Sequence, residues 1–160
     1  MTEILVRVAD LRIGGGDDVL VTIGLGSCVA IILYDAAVRV GGLAHVLLPS
    51  PALSRGSANP ARVPQTAVPA MLSEMANAGA SPRRIKARLV GGASMFAALS
   101  TPGTIQMGER NVVAARHTLA SAGVPIVGEA VGGDFGRTVR LHVRDGRVDV
   151  TSVMHGNVVL

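Results

Sequence analysis

The chain is poor in the residues that usually carry covalent and metal chemistry. Its 160 residues include one cysteine, Cys28, and four histidines. A single cysteine excludes an internal disulfide and a cysteine-rich zinc site, and it points to a reducing, cytoplasmic compartment. Aromatic residues make up 2% of the sequence and tryptophan is absent, so the core must be aliphatic. Lysine occurs only at Lys86, which leaves the net charge of +4 to scattered arginines. Without a basic helix or rings to stack on bases, nucleic acid is not an expected partner. No apolar run reaches membrane-spanning length, and the start MTEILVRVADLR mixes both charges. Neither membrane insertion nor a signal peptide is expected.

What the chain has in quantity is 49% hydrophobic residues and 20 glycines. That combination suits a turn-rich single domain spanning 1–160, long enough for one proper core. Alternation at Ile4, Val6 and Val8 predicts a strand, and a second run at Val19 to Ile23 predicts its hairpin partner across a Gly14–Asp18 turn. Val29 to Tyr34 and Val38 to Leu48 are continuous apolar runs of strand length, expected to pair antiparallel. Helical spacing runs from Val63 to Ala78, with Gly79 placed as a C-terminal cap and Pro69 as a potential kink. A strand at Ile85 to Val90, a helix at Gly108 to Ala122 and three closing strands complete the pattern, with Asp145-Gly146 as a hairpin signal. The whole predicts an α+β fold with largely antiparallel sheet and helices on one face.

The stretch Thr22 to His45 carries the candidate chemistry. Cys28 follows a Gly24-Leu25-Gly26-Ser27 turn whose successive N–H groups can lower a thiol pKa and hold an oxyanion. A free cysteine is also a common core residue, and His45 between Ala44 and Val46 reads alone as a satisfied core histidine. A two-residue Ala36-Ala37 loop would set Cys28 directly opposite His45, close enough for a thiol–imidazole pair, unless Gly41-Gly42 forms a bulge and slips the register. Thr22 is by propensity an ordinary strand residue that could orient an imidazole. His117, His142 and His155 lack metal-pair spacing, and the Gly91-Gly92 and Gly132-Gly133 pairs lack the lysine of a phosphate loop, so neither a metal nor a cofactor is expected.

Five blocks in order resemble the chemoreceptor glutamine deamidase (CheD) family: Thr22-x-Gly-Leu-Gly-Ser-Cys28, Gly41-Gly42-x-x-His45-x-x-x-Pro49, Gly91-Gly92-Ala93-x-Met95-Phe96, Gly108-x-Arg110-Asn111 and Gly132-Gly133-x-x-Gly136-Arg137. The resemblance implies a three-layer α/β/β sandwich like the cysteine deamidase toxins. It also implies a hydrolase that converts glutamines of methyl-accepting receptors to glutamate, with Cys28, His45 and Thr22 as catalytic residues. Gly26, Ser27, Gly91 and Gly92 are then candidates to line the oxyanion and substrate site, and a CheC-type phosphatase is an implied partner. The rival reading is a non-catalytic adaptor that binds receptors or the phosphatase. At 63–67 the chain reads Val-Pro-Gln-Thr-Ala where the family usually carries an aromatic-acidic pattern.

Overall fold

A strand buried at every position needs cover on both faces, and the segment Val29–Asp35, apolar up to its closing aspartate, receives it. In the computed structural model, which describes residues 1–99 and 101–160, this strand lies in the middle of a three-layer sandwich. In chain order the strands are β1 (Glu3–Leu5), β2 (Leu11–Gly15), β3 (Val19–Leu25), β4 (Val29–Asp35), β5 (Val40–Val46), β6 (Lys86–Gly91), β7 (Ile126–Val131), β8 (Arg137–His142), β9 (Arg147–Ser152) and β10 (Gly156–Val159). Helix α1 (Pro64–Asn77) precedes β6 and helix α2 (Met107–Ser121) precedes β7. The middle sheet has the order β2-β5-β4-β6-β7 and the outer sheet β1-β3-β8-β9-β10.

Side chains alternate across the middle sheet, and the two cores follow from that alternation. Val29, Ile31 and Leu33, with Ala44 and Val46, meet Ala67, Met71, Met75, Ala115 and Leu119 of the helices. Ala30, Ile32 and Leu43 face the outer sheet, where they meet Leu20, Leu141 and Val148. Each fully buried aliphatic side chain contributes roughly 1.5–3 kcal/mol, so two largely aliphatic cores compensate for the scarcity of aromatics. Helix α1 begins at Pro64 and ends before Gly79, whose φ of 102° suits a residue just past a helix terminus. Pro69 lies within the helix on its exposed side, where the carbonyl it leaves unpaired can be met by solvent. No helix among the described residues is long and apolar enough to cross a membrane.

The expected α+β sandwich with largely antiparallel sheets is the observed one, with three local differences. The first strand is not half of a hairpin: β1 pairs parallel with β3, Glu3 against Val19, because 11–15 departs between them to form β2 in the other sheet. A tenth strand, β10, adds antiparallel to β9 beyond the three closing strands expected. The β4–β5 turn is longer than two residues. Asp35 pairs with Val40, so 36–39 form the loop, and Cys28 is not opposite His45; Ala30 is. Gly41 and Gly42 make no bulge and pair regularly with Tyr34 and Leu33. They are glycines for closeness: a Cβ on Gly41 would lie 2.9 Å from Leu141 Cδ2, and one on Gly42 would lie 2.7 Å from Ile13 Cδ1.

Asp35 is what lengthens the turn. Its Oδ1 accepts the N–H of Ala37 at 3.0 Å, and Arg39 closes the loop at φ 53°. Burial alone would raise this carboxyl, but the Arg84 guanidinium and the N–H groups of Ser81 and Ala37 reverse that and hold it below the usual carboxylate range.

Candidate active site

Thr22, Cys28 and His45 come from three segments that the sandwich brings to one end of the inter-sheet layer. His45 lies on β5 on the face toward the outer sheet, as its pairing with Ala30 requires. Cys28 precedes β4 and packs, half-buried, against the same core. It is therefore a diagonal neighbour of His45 on one face, two residues from the directly opposed Ala30. Thr22 reaches the imidazole from the outer sheet, at the last regular pair of β3 with β8 before the register shifts. Thr22 is 0% exposed and His45 1%.

The hydrogen bonds decide the tautomer of His45. Thr22 Oγ1 donates its one proton to the Val6 carbonyl at 2.6 Å. It therefore has only lone pairs to offer His45 Nδ1, 2.7 Å away, and Nδ1 must carry the ring proton. Nε2 is left with its lone pair, buried and without a hydrogen-bond partner among the described residues. Burial also pushes the His45 pKa below its ordinary value, which keeps the ring neutral near pH 7. The backbone of His45 is held as well, with its N–H donating to Asp10 and its carbonyl accepting from Ala9.

The turn that bears Cys28 is fastened by its carbonyls. Gly26 accepts from the N–H of Ala93 at 2.9 Å, and Cys28 accepts from the N–H of Gly92 at 2.8 Å. Between them Ser27 accepts from Asn111 Nδ2 at 2.9 Å. On the thiol itself, burial raises the pKa and the N–H of Cys28 lowers it, with burial the larger effect. Thiolate is thus scarce at rest, and a neighbouring base is needed to make the nucleophile.

The four expected lining residues divide. Gly26 and Ser27 are half-exposed, and Ser27 borders a small cavity with Ala93, Ser94, Met95, Phe96 and Met107. Gly91 and Gly92 are buried and form no exposed turn over the site. Gly91, at φ 109°, backs onto the Cys28 carbonyl so closely that a Cβ would collide with it. Beneath them Arg137 Nη1 donates to the Gly132 carbonyl at 2.8 Å, with its guanidinium carbon 4.2 Å from the Phe135 ring centre. An open groove beside Gly24, lined by Ile23, Met95, Phe135, Val153 and Met154, runs past the turn.

Comparison with known proteins bears on the whole chain. A sequence profile described as CheD chemotactic sensory transduction matches residues 47–152. The chain belongs to the CheD family. It is 39% identical to a probable chemoreceptor glutamine deamidase CheD of Caldanaerobacter subterraneus, over 94% of this chain and 93% of that one. To a protein of the same description from Thermococcus kodakarensis it is 41% identical, over 98% and 97%. To a probable chemoreceptor glutamine deamidase CheD 2 of Geobacter metallireducens it is 42% identical, over 96% of each. A crystal structure of a Neisseria meningitidis protein of the DUF152 family superposes with a TM-score of 0.50 at 12% identity, covering 91% of this chain and 71% of that one, and so shares the fold. The CheD profile begins after Thr22, Cys28 and His45, whereas the pairwise matches span nearly the full length. In the sequence Asn111 stands only as part of a block. Its Gly108-x-Arg110-Asn111 context was the one available signal, because the groups it binds are backbone carbonyls far away in sequence.

Proposed function

We propose that this chain is a protein-glutamine deamidase that converts glutamine side chains of methyl-accepting chemotaxis receptors to glutamate. The observation that carries the reading is the Thr22–His45 hydrogen bond, which leaves an unprotonated Nε2, without a partner among the described residues, on the face that Cys28 occupies. His45 takes the Cys28 proton and the sulfur adds to the carboxamide carbon. The oxyanion is met by N–H groups of the Gly26–Cys28 turn. His45 returns the proton to the nitrogen, the carbon–nitrogen bond breaks, and ammonia leaves a thioester. Water, deprotonated by His45, then cleaves the thioester to give the carboxylate and free Cys28. The balance is amide plus water to acid plus ammonia.

The apolar groove beside Gly24 supports a macromolecular substrate laid across the surface. The free thiol supports a cytoplasmic location, where it stays reduced. The family resemblance adds a CheC-type phosphatase as partner, which a pull-down with purified phosphatase tests. The catalytic assignment is tested with Cys28→Ala. Purified receptor incubated with wild type should gain about one dalton per glutamine converted, with ammonia released, and receptor incubated with the variant should not. Equal mass gain with both proteins overturns the assignment.

A further inference from the structure

Where the β4–β5 ladder stops, one side chain takes over. The last regular pair is Val29 with Val46, so the next positions outward are Cys28 and Leu47. Asn111 on α2 is 0% exposed and spends both N–H groups of its amide here, one on the Ser27 carbonyl at 2.9 Å and one on the Leu47 carbonyl at 3.2 Å. It joins the residue before Cys28 to the residue two beyond His45, which are the two chain segments that must keep register for a thiol and an imidazole to meet. Its Oδ1 is buried without a hydrogen-bond partner among the described residues, a loss of about 1–3 kcal/mol that an aliphatic side chain in the same place would avoid. An amide kept at that cost is there for its two donated bonds.

We propose that Asn111 is a positioning residue for the deamidation: it clamps the Cys28 turn to the His45 strand. The proposal rests on the proposed function for its kinetic readout. With the Ser27 carbonyl drawn to Asn111, the trans peptide that follows points the Cys28 N–H the opposite way, toward the thiol side of the turn. The neighbouring carbonyls of Gly26 and Cys28 are held by Ala93 and Gly92, so Asn111 is the middle of three fastenings and the one supplied by a side chain. Without it the peptide is free to rotate, which moves the N–H away from the sulfur and from the position of the oxyanion. A displacement of about 1 Å at such a site costs on the order of 100-fold in rate.

The test uses Asn111→Asp, which keeps the shape but sets an oxygen against two carbonyl oxygens, and Asn111→Ala, which removes the bonds without charge. Each is assayed below its melting transition for kcat and KM on purified receptor, and for the pH profile of Cys28 alkylation by iodoacetamide. The expected result is a fall in kcat of about 100-fold with KM changed far less, and an alkylation midpoint moved to higher pH. A lowered melting temperature with kcat and the alkylation profile matching wild type would assign Asn111 a purely structural role and overturn the proposal. If neither variant folds, through-hydrogen-bond NMR couplings in wild type decide: they are expected from Asn111 Nδ2 to the Ser27 and Leu47 carbonyl carbons, and their absence overturns the clamp. If wild type itself leaves receptor glutamines unchanged, the proposed function fails while the alkylation profile and the couplings still test the positioning.

Discussion

Thr22 and His45 form a hydrogen bond whose direction is set by a third group, the Val6 carbonyl. Because a carbonyl can only accept, the hydroxyl proton goes to Val6, and the imidazole has to donate from Nδ1. The basic nitrogen of His45 is therefore Nε2, on the same inter-sheet face as the thiol.

Thr22→Val keeps the shape and removes the acceptor. It leaves a buried Nδ1–H unpaired, so folding stability should fall by about 1–3 kcal/mol. The ring also loses the partner that selects its tautomer, and kcat should drop at least 10-fold, with Thr22→Ser retaining most activity. Denaturant melts and steady-state deamidation by the two variants check this. Equal activity in Thr22→Val and wild type contradicts the orienting role.

The pH dependence of stability follows from the lowered pKa of His45. Its folded value lies below the unfolded value of about 6.5, so at acid pH the unfolded chain binds a proton that the folded chain does not. The contribution of neutral His45 is fully present above about pH 6.5 and is lost as the pH falls from there toward the folded pKa. Unfolding free energies at a series of pH values should decline over that window, and His45→Gln should flatten the decline. An unchanged slope in the variant sinks the prediction.

Gly91→Ala places a methyl group against the Cys28 carbonyl at a φ of 109° that side chains resist. The strain is on the order of 1–3 kcal/mol before any displacement of the turn. The loss of deamidase activity should exceed what the drop in melting temperature explains. Gly15→Ala, where a Cβ would find its nearest neighbour 3.8 Å away, serves as the control and should stay close to wild type.

Asp35→Ala should separate folding from chemistry. The carboxylate is buried and accepts from Ser81, Ala37 and Arg84, so its removal strands two backbone N–H groups and frees the β4–β5 turn. Destabilisation of about 2–4 kcal/mol is expected from the lost bonds. The kcat of the folded fraction should be retained, because the lesion is at the far end of the ladder from Cys28. Thermal melts alongside activity at low temperature distinguish the two effects.

The layers were legible in the sequence because they depend on local pattern. Unbroken apolar runs at 29–34 and 38–48 mark strands covered on both faces, and spacing at Ala67, Met71 and Met75 marks a helix laid on one of them. The register was not legible, since the turn length is set by Asp35 capturing Ala37 and by Arg39 at positive φ, neither of which follows from Ala36-Ala37. Cys28 and His45 announced themselves as residue types. Thr22 did not, because what orients it is a backbone carbonyl 16 residues earlier, which leaves no mark on composition or spacing. The parallel pairing of β1 was hidden for a similar reason: a short strand carries no information about which neighbour it will choose across an intervening strand.

The bond from Asn111 to the Ser27 carbonyl spans 84 residues of chain. A ribosome makes Thr22, Cys28 and His45 before α1 and β6, yet the residue that sets the cysteine turn arrives only after those two elements. The growing chain would pass through a stage in which the reactive thiol is present and idle, and it would gain its chemistry at the moment the second helix docks.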